Sequence, residues 1–331
     1  MSMIAVPPAV TSAVGVAVPA VTSAIGAAVA SCGPATAAVR AALLSGRNVA
    51  GIAGMTAVSA AAVLPLTLLR QAYSFSVGYG ASVAAMAAAL ISVYGLGNPL
   101  TSKAAWASAS APAMLTYSAL LYGLRLASFL FVRELTVPVK KEQIKKLDTT
   151  KFPPARIPMA SAIAMFYAFM ATPLLYSLRN AGNLGSPLLA KLQWAGVGLS
   201  FAGLLVEAAA DQHKYFLKWF YDHTPTFVGP TSGLYSLCRH PNYLGEIMFW
   251  AGIYLGGAPA FGRNVAAWTA STLGFWGIVS IMRGATKRLD EKQAEKYADQ
   301  GAYRFWREDV TAPLFPFVNE KKGNEAAAAE T

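Results

Sequence analysis

The chain has 331 residues, of which 55% are hydrophobic and 13% charged, and its formal net charge is +11. Because soluble globular proteins carry about 25% charged residues, this composition excludes an ordinary soluble domain. Long apolar runs follow one another, and in lipid such runs must form helices or a closed barrel. The runs are too long for barrel strands. The sequence therefore predicts an all-α, multi-pass membrane helical bundle with about seven transmembrane helices.

Residues 1–50 form a low-complexity segment, which we separate from the predicted functional core. The stretch AVTSAVG at 9–15 returns as AVTSAIG at 20–26, and no acidic residue precedes Glu134. Acid-poor, Ser-containing N-termini with scattered Arg are typical of organelle transit peptides. A weakly hydrophobic tail or an extra poor span is the alternative. Whether the segment is cleaved stays open.

Seven apolar runs are predicted to span the membrane, within a single transmembrane domain over 51–318. The runs cover residues 51–69, 73–96, 112–132, 157–178, 188–209, 244–261 and 265–282. The last two runs could instead form a re-entrant hairpin. Residues 319–331 are predicted to be a disordered tail.

Basic residues are concentrated in particular loops between the runs. The loop 133–156 holds seven Lys or Arg, whereas the loops near 97–111 and 179–187 carry one each. The positive-inside rule then places 133–156, 210–243 and the C-terminus on the cytosolic side. Because no soluble basic module accompanies this charge, it indicates topology and anionic-lipid contact rather than nucleic-acid binding. We expect the endoplasmic reticulum or a plastid or mitochondrial membrane, and leave the oligomeric state open.

Two acids lie near the end of the fifth run, in the stretch VEAAADQHKYFLKW. Glu207 and Asp211 are four residues apart, so on a helix they share one face. Carboxylates at this spacing repel each other and need cations or ligand donors nearby. A solvated charged stripe would explain Lys218, but Glu207 still lies in apolar sequence. Ionisable residues inside a span are functional candidates.

A second polar stretch, SLCRHPNYLGE at 236–246, comes directly before an apolar run. Pro241 suits the first turn of a helix, and helix N-termini favour anions. Arg239 adds a forked cation that matches phosphate or carboxylate. The stretch is therefore predicted to hold an anionic cofactor at the cytosolic membrane face. A structural cap with a positive-inside Arg is the alternative.

The third run contains an arginine that needs a partner. Tyr122 lies three residues before Arg125, on the same side of a predicted helix. An Arg inside apolar sequence is costly unless it is paired. The segment from Arg283 onward is rich in both charge signs and is typical of an amphipathic tail. It would matter for the site only if it folds back over the stretch 236–246.

Other kinds of site find no support in the sequence. His213, His223 and His240 show no metal-ligand spacing, and Cys32 and Cys238 give no disulfide framework. We therefore predict no metal site. No GxGxxG motif follows a strand, and no P-loop is present. A cofactor, if bound, would sit within the helical bundle.

The stretch SLCRHPNYLGEIMFWAGIYL resembles the C-terminal signature of the steroid 5-alpha-reductase superfamily. It looks most like the branch of integral membrane proteins of undefined substrate, which reads approximately Ser-Arg-His-Pro-Asn-Tyr-Phe-Gly-Glu. Cys238 and Leu244 stand here at the Ser and Phe positions. The stretches VEAAADQHKYFLKW and YRFWREDVTAPLFPF resemble the family's acidic helix and tyrosine-containing tail. The reductase-like core covers about 120–318.

This resemblance implies an oxidoreductase acting on CH–CH groups: an NADPH-dependent reductase of a hydrophobic, lipid-like enone, with a cytosol-facing cofactor pocket. It assigns catalysis to Tyr122 and Arg125, with the Tyr counterpart binding the substrate carbonyl and supplying a proton. It assigns the cofactor contacts to Asp211, Arg239, His240, Asn242, Tyr243, Glu246 and Tyr303. The family's neighbouring His is Leu121 here, and its early-span Glu has no counterpart. The identity of the substrate therefore stays open.

Two other functions compete with this one. Isoprenylcysteine carboxyl methyltransferases share Arg-His-Pro-x-Tyr-x-Gly, which matches 239–245, and use S-adenosylmethionine. Arg288 with Asp290 and Glu291 is a loose counterpart of the Arg and paired acids in their tail. Asn242 and Glu246 follow the reductase pattern instead, so we favour the reductase. A non-catalytic membrane scaffold or lipid-binding protein is the third hypothesis.

Overall fold

The described chain is helical throughout. A computed structural model describes residues 33–45, 48–149, 152–182, 184–221 and 229–316, and these contain no strand. The helices are α1 (Gly33–Leu44), α2 (Asn48–Leu69), α3 (Val77–Tyr94), α4 (Lys103–Ala107), α5 (Ala111–Thr136), α6 (Pro138–Leu147), α7 (Ile157–Arg179), α8 (Pro187–Tyr221), α9 (Pro241–Gly257), α10 (Val265–Lys296) and α11 (Gly301–Asp309). The predicted all-α class is confirmed. The predicted tail 319–331 and the repeat at 9–26 lie outside the described residues.

Six of the described helices are long and apolar enough to cross a membrane, namely α2, α3, α5, α7, α8 and α10. The chain is therefore an integral membrane protein with several spans. The number differs from the predicted seven because the run 244–261 forms α9, which has only 17 residues. Such a helix rises about 26 Å, against a hydrocarbon core of about 30 Å. A re-entrant hairpin at this point stays open.

The described chain divides into two compact units. The first comprises the described residues up to Gly198 together with Gly252–Phe275. The second comprises Leu199–Ala251 and the described residues from Trp276 onward. Tyr122 and Arg125 belong to the first unit, and all seven residues assigned to the cofactor belong to the second.

In the first unit, α3 and α5 approach each other backbone to backbone. A Cβ added at Gly80 would lie 2.5 Å from the amide nitrogen of Ala127, and one added at Gly123 would meet that of Ala84. Gly80 with Ala84, and Gly123 with Ala127, are small residues spaced four apart, which is the pattern of close helix packing in membranes. This contact also brings together Tyr79 and Tyr122, the aromatic residues that directly precede the two glycines.

The α3–α5 contact gives a first testable expectation. Gly123→Ala should destabilise the protein by about 1–3 kcal/mol, because the new methyl group meets backbone that has no rotamer to change. Gly198→Ala in α8 is the matched control, since a Cβ there meets nothing within 4 Å. Thermal unfolding of the detergent-solubilised protein measures both. Equal midpoints for the two variants would contradict the close approach.

Helix α1 packs into the first unit although it lies within the segment 1–50. Arg179 donates from Nη2 to the carbonyl oxygens of Ala42 at 3.2 Å and Leu43 at 3.0 Å. These are carbonyls of the last turn of α1, which have no partner within the helix. The side chain of Leu43 is fully buried. The predicted boundary at residue 50 stays a prediction, and α1 forms contacts on its N-terminal side.

In the second unit, α8 and α9 are also packed backbone to backbone. A Cβ at Gly245 would lie 2.5 Å from the amide nitrogen of Glu207, and one at Gly203 would meet that of Phe249. Because 203 faces 249 while 207 faces 245, the two helices run antiparallel here. The polar residues of the two predicted motifs therefore meet at one helix interface.

Candidate functional site

We call four polar residues of the packed helices α8 and α9 the acid–amide cluster, namely Glu207, Asp211, Asn242 and Glu246. Each helix contributes two of them, four residues apart and hence on one face. Glu207 is 3% exposed, and Asp211 and Glu246 are each 7% exposed. Asn242 Nδ2 donates to Asp211 Oδ1 at 3.3 Å. Buried carboxylates are costly unless they receive hydrogen bonds, so donors such as the Asn242 amide stabilise them here.

One polar atom of the Asn242 side chain makes no hydrogen bond within the described residues. Its Oδ1 is buried and has no hydrogen-bond partner among the described residues. Leaving a buried acceptor without a donor costs about 1–3 kcal/mol. An N–H or O–H group of a ligand would satisfy this oxygen. This oxygen thus offers an acceptor to a ligand that carries an amide or hydroxyl donor.

The guanidinium of Arg239 is hydrogen-bonded to other residues of the second unit. Its Nε donates to Asp290 Oδ1 at 2.8 Å, and its Nη2 donates to Oδ2 at 3.0 Å. Its Nη1 donates to the carbonyl oxygens of Val310 and Thr311, each at 2.8 Å. The side chain is 3% exposed. The forked cation that the sequence assigns to an anionic cofactor holds an internal carboxylate, and its contact with a cofactor stays a prediction.

Asp290 is the centre of what we call the Asp290 lock, made of Arg239, His240, Asp290 and Arg307. Arg307 Nη2 lies 2.8 Å from Asp290 Oδ2, and His240 Nε2 lies 3.5 Å from Oδ1. Burial lowers the pKa of His240, although the nearby Asp290 carboxylate acts in the opposite direction. The imidazole is therefore neutral at neutral pH. Two guanidinium groups and one carboxylate carry the charge of the lock.

The charge-rich tail does fold back onto the stretch 236–246 within the second unit. Trp306 Nε1 donates to the carbonyl oxygen of Tyr235 at 3.2 Å, and Arg307 Nη1 donates to the hydroxyl of Tyr303 at 3.0 Å. Tyr303 is 2% exposed. Burial raises its pKa, so that the phenol stays protonated. Tyr303 therefore contacts the lock through Arg307.

The remaining residues of the predicted stretch have simpler surroundings. The rings of His240 and Tyr243 stack, with centroids 5.7 Å apart and planes 13° from parallel. Cys238 is fully buried. Burial raises its pKa to about 11, so the thiol is protonated at neutral pH. Cys238 has the surroundings of a small apolar residue rather than of a nucleophile.

In the first unit, the predicted catalytic residues have partners that the sequence did not suggest. Tyr122 is fully buried, and its hydroxyl lies 3.4 Å from that of Tyr79. The guanidinium carbon of Arg125 lies 5.3 Å from the ring centroid of Phe129. The structure thus brings a second tyrosine to Tyr122.

Three contributing residues were not predicted as site residues: Tyr79, Asp290 and Arg307. A buried arginine calls for an acid, but six acids lie between 290 and 309, and any of them could have been the partner. Arg307 stands among alternating charges that suit a solvated surface equally well. For Tyr79 the sequence gives no signal, because its contact with Tyr122 depends on the packing of α3 on α5.

Comparison with known proteins gives two matches. A family model described as "Protein of unknown function (DUF1295)" matches residues 78–310. An uncharacterized protein of Schizosaccharomyces pombe, C594.04c, is 33% identical over 79 residues. These residues are 24% of this chain and 21% of the yeast protein, so the match spans about a fifth of that relative. No solved structure matches the chain.

Proposed function

The chain belongs to the DUF1295 family of proteins of unknown function, and we propose that it is a membrane-embedded, NADPH-dependent reductase of a lipid enone. The observation that carries this proposal is the half-buried Asn242, which donates to Asp211 and whose buried amide Oδ1 has no donor among the described residues. A nicotinamide nucleoside carries a carboxamide N–H and ribose hydroxyls as donors. The resemblance of 236–255 to the steroid 5-alpha-reductase signature supports the same ligand.

The residues of the second unit suit the nicotinamide nucleoside of such a cofactor better than its phosphates. The acid–amide cluster supplies acceptors for the carboxamide and the ribose hydroxyls. The guanidinium of Arg239, by contrast, is bound to Asp290 and to two carbonyl oxygens. The phosphates would therefore depend on other cations, such as Lys214, three residues beyond Asp211.

The chemistry divides between the cofactor and the chain. NADPH, when bound, supplies the hydride that reduces the β-carbon of the enone and leaves as NADP⁺. The π electrons of the double bond move towards the carbonyl oxygen, to which Tyr122 donates its hydroxyl proton. Arg125, one turn further along α5, adds positive charge on that helix. The enol becomes the saturated ketone when the α-carbon takes up a proton from solvent and the enol O–H proton returns to the Tyr122 oxygen.

A second candidate has an observation in its favour. Glu207, Asp211 and Glu246 are three buried carboxylates, and a group of negative charges attracts a cationic ligand. S-adenosylmethionine carries a sulfonium and an ammonium group. Together with the Arg-His-Pro-x-Tyr-x-Gly match, this keeps a methyltransferase as the alternative. A scaffold or lipid-binding protein would use the same fold without either cofactor.

Cofactor binding to the detergent-purified full chain tests these functions. We expect NADPH to bind, and Asn242→Ala to raise its dissociation constant about tenfold, since a hydrogen bond in a charged environment contributes about 1.5 kcal/mol. Gln212→Ala is the control, because this neighbour of Asp211 on α8 is exposed and should change the constant less than twofold. Binding of S-adenosylmethionine alone would indicate methyl transfer. Binding of neither compound to folded protein would indicate the scaffold.

A further inference from the structure

Two buried tyrosines of the first unit meet hydroxyl to hydroxyl. Tyr79 lies in the first turn of α3 and Tyr122 in the middle of α5, and the Gly80–Gly123 contact holds these helices together. The hydroxyl oxygens are 3.4 Å apart, and the rings meet edge to face with centroids 6.3 Å apart. Tyr79 is 6% exposed and Tyr122 is fully buried.

The ring of Tyr79 is held in place by a third tyrosine. Tyr167 of α7 lies against it, with centroids 4.9 Å apart and planes 30° from parallel. The hydroxyl of Tyr167 donates to the carbonyl oxygen of Ser74 at 2.7 Å. Tyr167 therefore uses its hydroxyl on the backbone and its ring on Tyr79. The hydroxyl of Tyr79, in contrast, is directed to Tyr122.

This pairing has a consequence for proton donation. When the hydroxyl of Tyr122 gives its proton to a carbonyl oxygen, negative charge develops on the phenol oxygen of a fully buried side chain. A donor aimed at that oxygen stabilises the charge, and it does so more strongly in dry surroundings than in water. No acidic residue precedes Glu134, so neither α2 nor α3 brings a carboxyl group to this task.

We propose that Tyr79 is a positioning residue that donates its hydroxyl to the oxygen of Tyr122 and stabilises it while Tyr122 protonates the substrate. This inference rests on the proposed reductase function. The balance is simple: the proton of Tyr122 moves to the carbonyl oxygen, and Tyr79 keeps its own proton but shortens its hydrogen bond to the phenolate. The enol O–H proton released on tautomerisation restores the hydroxyl of Tyr122.

The test uses the full chain with NADPH and two probe enones, a 3-oxo-4-ene steroid and a long-chain 2-enone. Tyr79→Phe removes one hydroxyl and keeps the ring on Tyr167. We expect kcat to fall about tenfold, while the KM for the enone and the affinity for NADPH stay within twofold. In a Tyr122→Phe background, Tyr79→Phe should cause no further fall in kcat, since Tyr79 acts only through Tyr122.

Tyr167→Phe is the matched control, because it removes a buried hydroxyl from the same group of rings, one that donates to the carbonyl oxygen of Ser74. It should leave kcat within twofold. Equal losses for Tyr79→Phe and Tyr167→Phe, or a full loss from Tyr79→Phe on top of Tyr122→Phe, would overturn the inference. Either result would mean that the hydroxyl of Tyr79 serves packing alone.

A spectroscopic readout does not depend on turnover. The infrared carbonyl stretch of a ¹³C-labelled enone bound to the protein without NADPH should move to lower frequency in the wild type. We expect a smaller downshift in Tyr79→Phe and an unchanged one in Tyr167→Phe. An unchanged downshift in Tyr79→Phe would overturn the inference about Tyr79 but not the reductase proposal. If the wild type neither binds nor reduces either enone, the reductase proposal fails, and the inference fails with it.

Discussion

Asp290→Ala is expected to destabilise the second unit by about 3–5 kcal/mol, the cost of leaving a buried charge without its partner. Asp290 is 6% exposed and accepts hydrogen bonds from Arg239 Nε and Nη2. Its Oδ2 also lies 2.8 Å from Arg307 Nη2. The substitution would leave the Arg239 guanidinium buried without the Asp290 carboxylate that it binds through two nitrogens. The loss should therefore far exceed that of a surface charge.

Glu291→Ala is the matched control, because it removes one negative charge from the neighbouring, exposed position. Its effect should stay within about 0.5 kcal/mol. Thermal unfolding in detergent gives the comparison, and limited proteolysis after residue 301 shows whether the tail has come loose. Similar midpoints and similar cleavage for the two variants would contradict the lock.

Arg239→Lys separates charge from geometry within the same lock. Lysine keeps the positive charge but is a point donor, whereas the guanidinium holds a carboxylate in a forked arrangement and reaches two further carbonyl oxygens. We expect Arg239→Lys to be destabilised less than Asp290→Ala but clearly more than Glu291→Ala. For this reason Arg239 is a poor position at which to test cofactor binding: its variants would report folding first.

Tyr122→Phe is expected to lower the rate of enone reduction at least a hundredfold, the usual contribution of a general acid. The affinity for NADPH should stay within twofold, because the substitution removes a proton donor and not a predicted cofactor contact. Single-turnover oxidation of bound NADPH in the presence of a saturating enone measures this step apart from product release.

Tyr117→Phe supplies the comparison on the same helix. Tyr117 is also fully buried in α5, and its hydroxyl donates to the carbonyl oxygen of Leu96. Losing that bond should change stability slightly and the rate less than threefold. Equal rates for Tyr117→Phe and Tyr122→Phe would remove Tyr122 from the proposed chemistry, whatever NADPH binding shows.

Much of the fold follows from local sequence. An apolar run of about twenty residues has few alternatives to a spanning helix, and six of the seven predicted runs became helices of that kind. The exception, α9, shows the limit of the argument. Its apolar run is interrupted by a 3-10 turn over Ala258–Ala260, and the helix ends at Gly257 after 17 residues.

The site was less predictable, because its contacts join distant parts of the chain. The motifs pointed to Asp211, Asn242 and Glu246, and the structure joins the first two by a hydrogen bond between α8 and α9. The residues around Arg239 in the sequence could not indicate that it would pair with Asp290, which lies 51 residues away. A fork of donors fits a phosphate and a carboxylate equally well, so residue type alone did not decide between a ligand and an internal partner.

The Asp290 lock also bears on the order in which this protein can be made. Helices α8 and α9 follow each other closely in sequence, so their glycine contact can form as the two enter the membrane together. Arg239 must wait longer, since its carbonyl partners at Val310 and Thr311 are synthesised 71 and 72 residues later. Until Asp290 has been synthesised, 51 residues later, the Arg239 guanidinium lacks its carboxylate partner. The second unit is thus completed only by the late-synthesised tail, and a fusion or truncation there would act on assembly before it acted on chemistry.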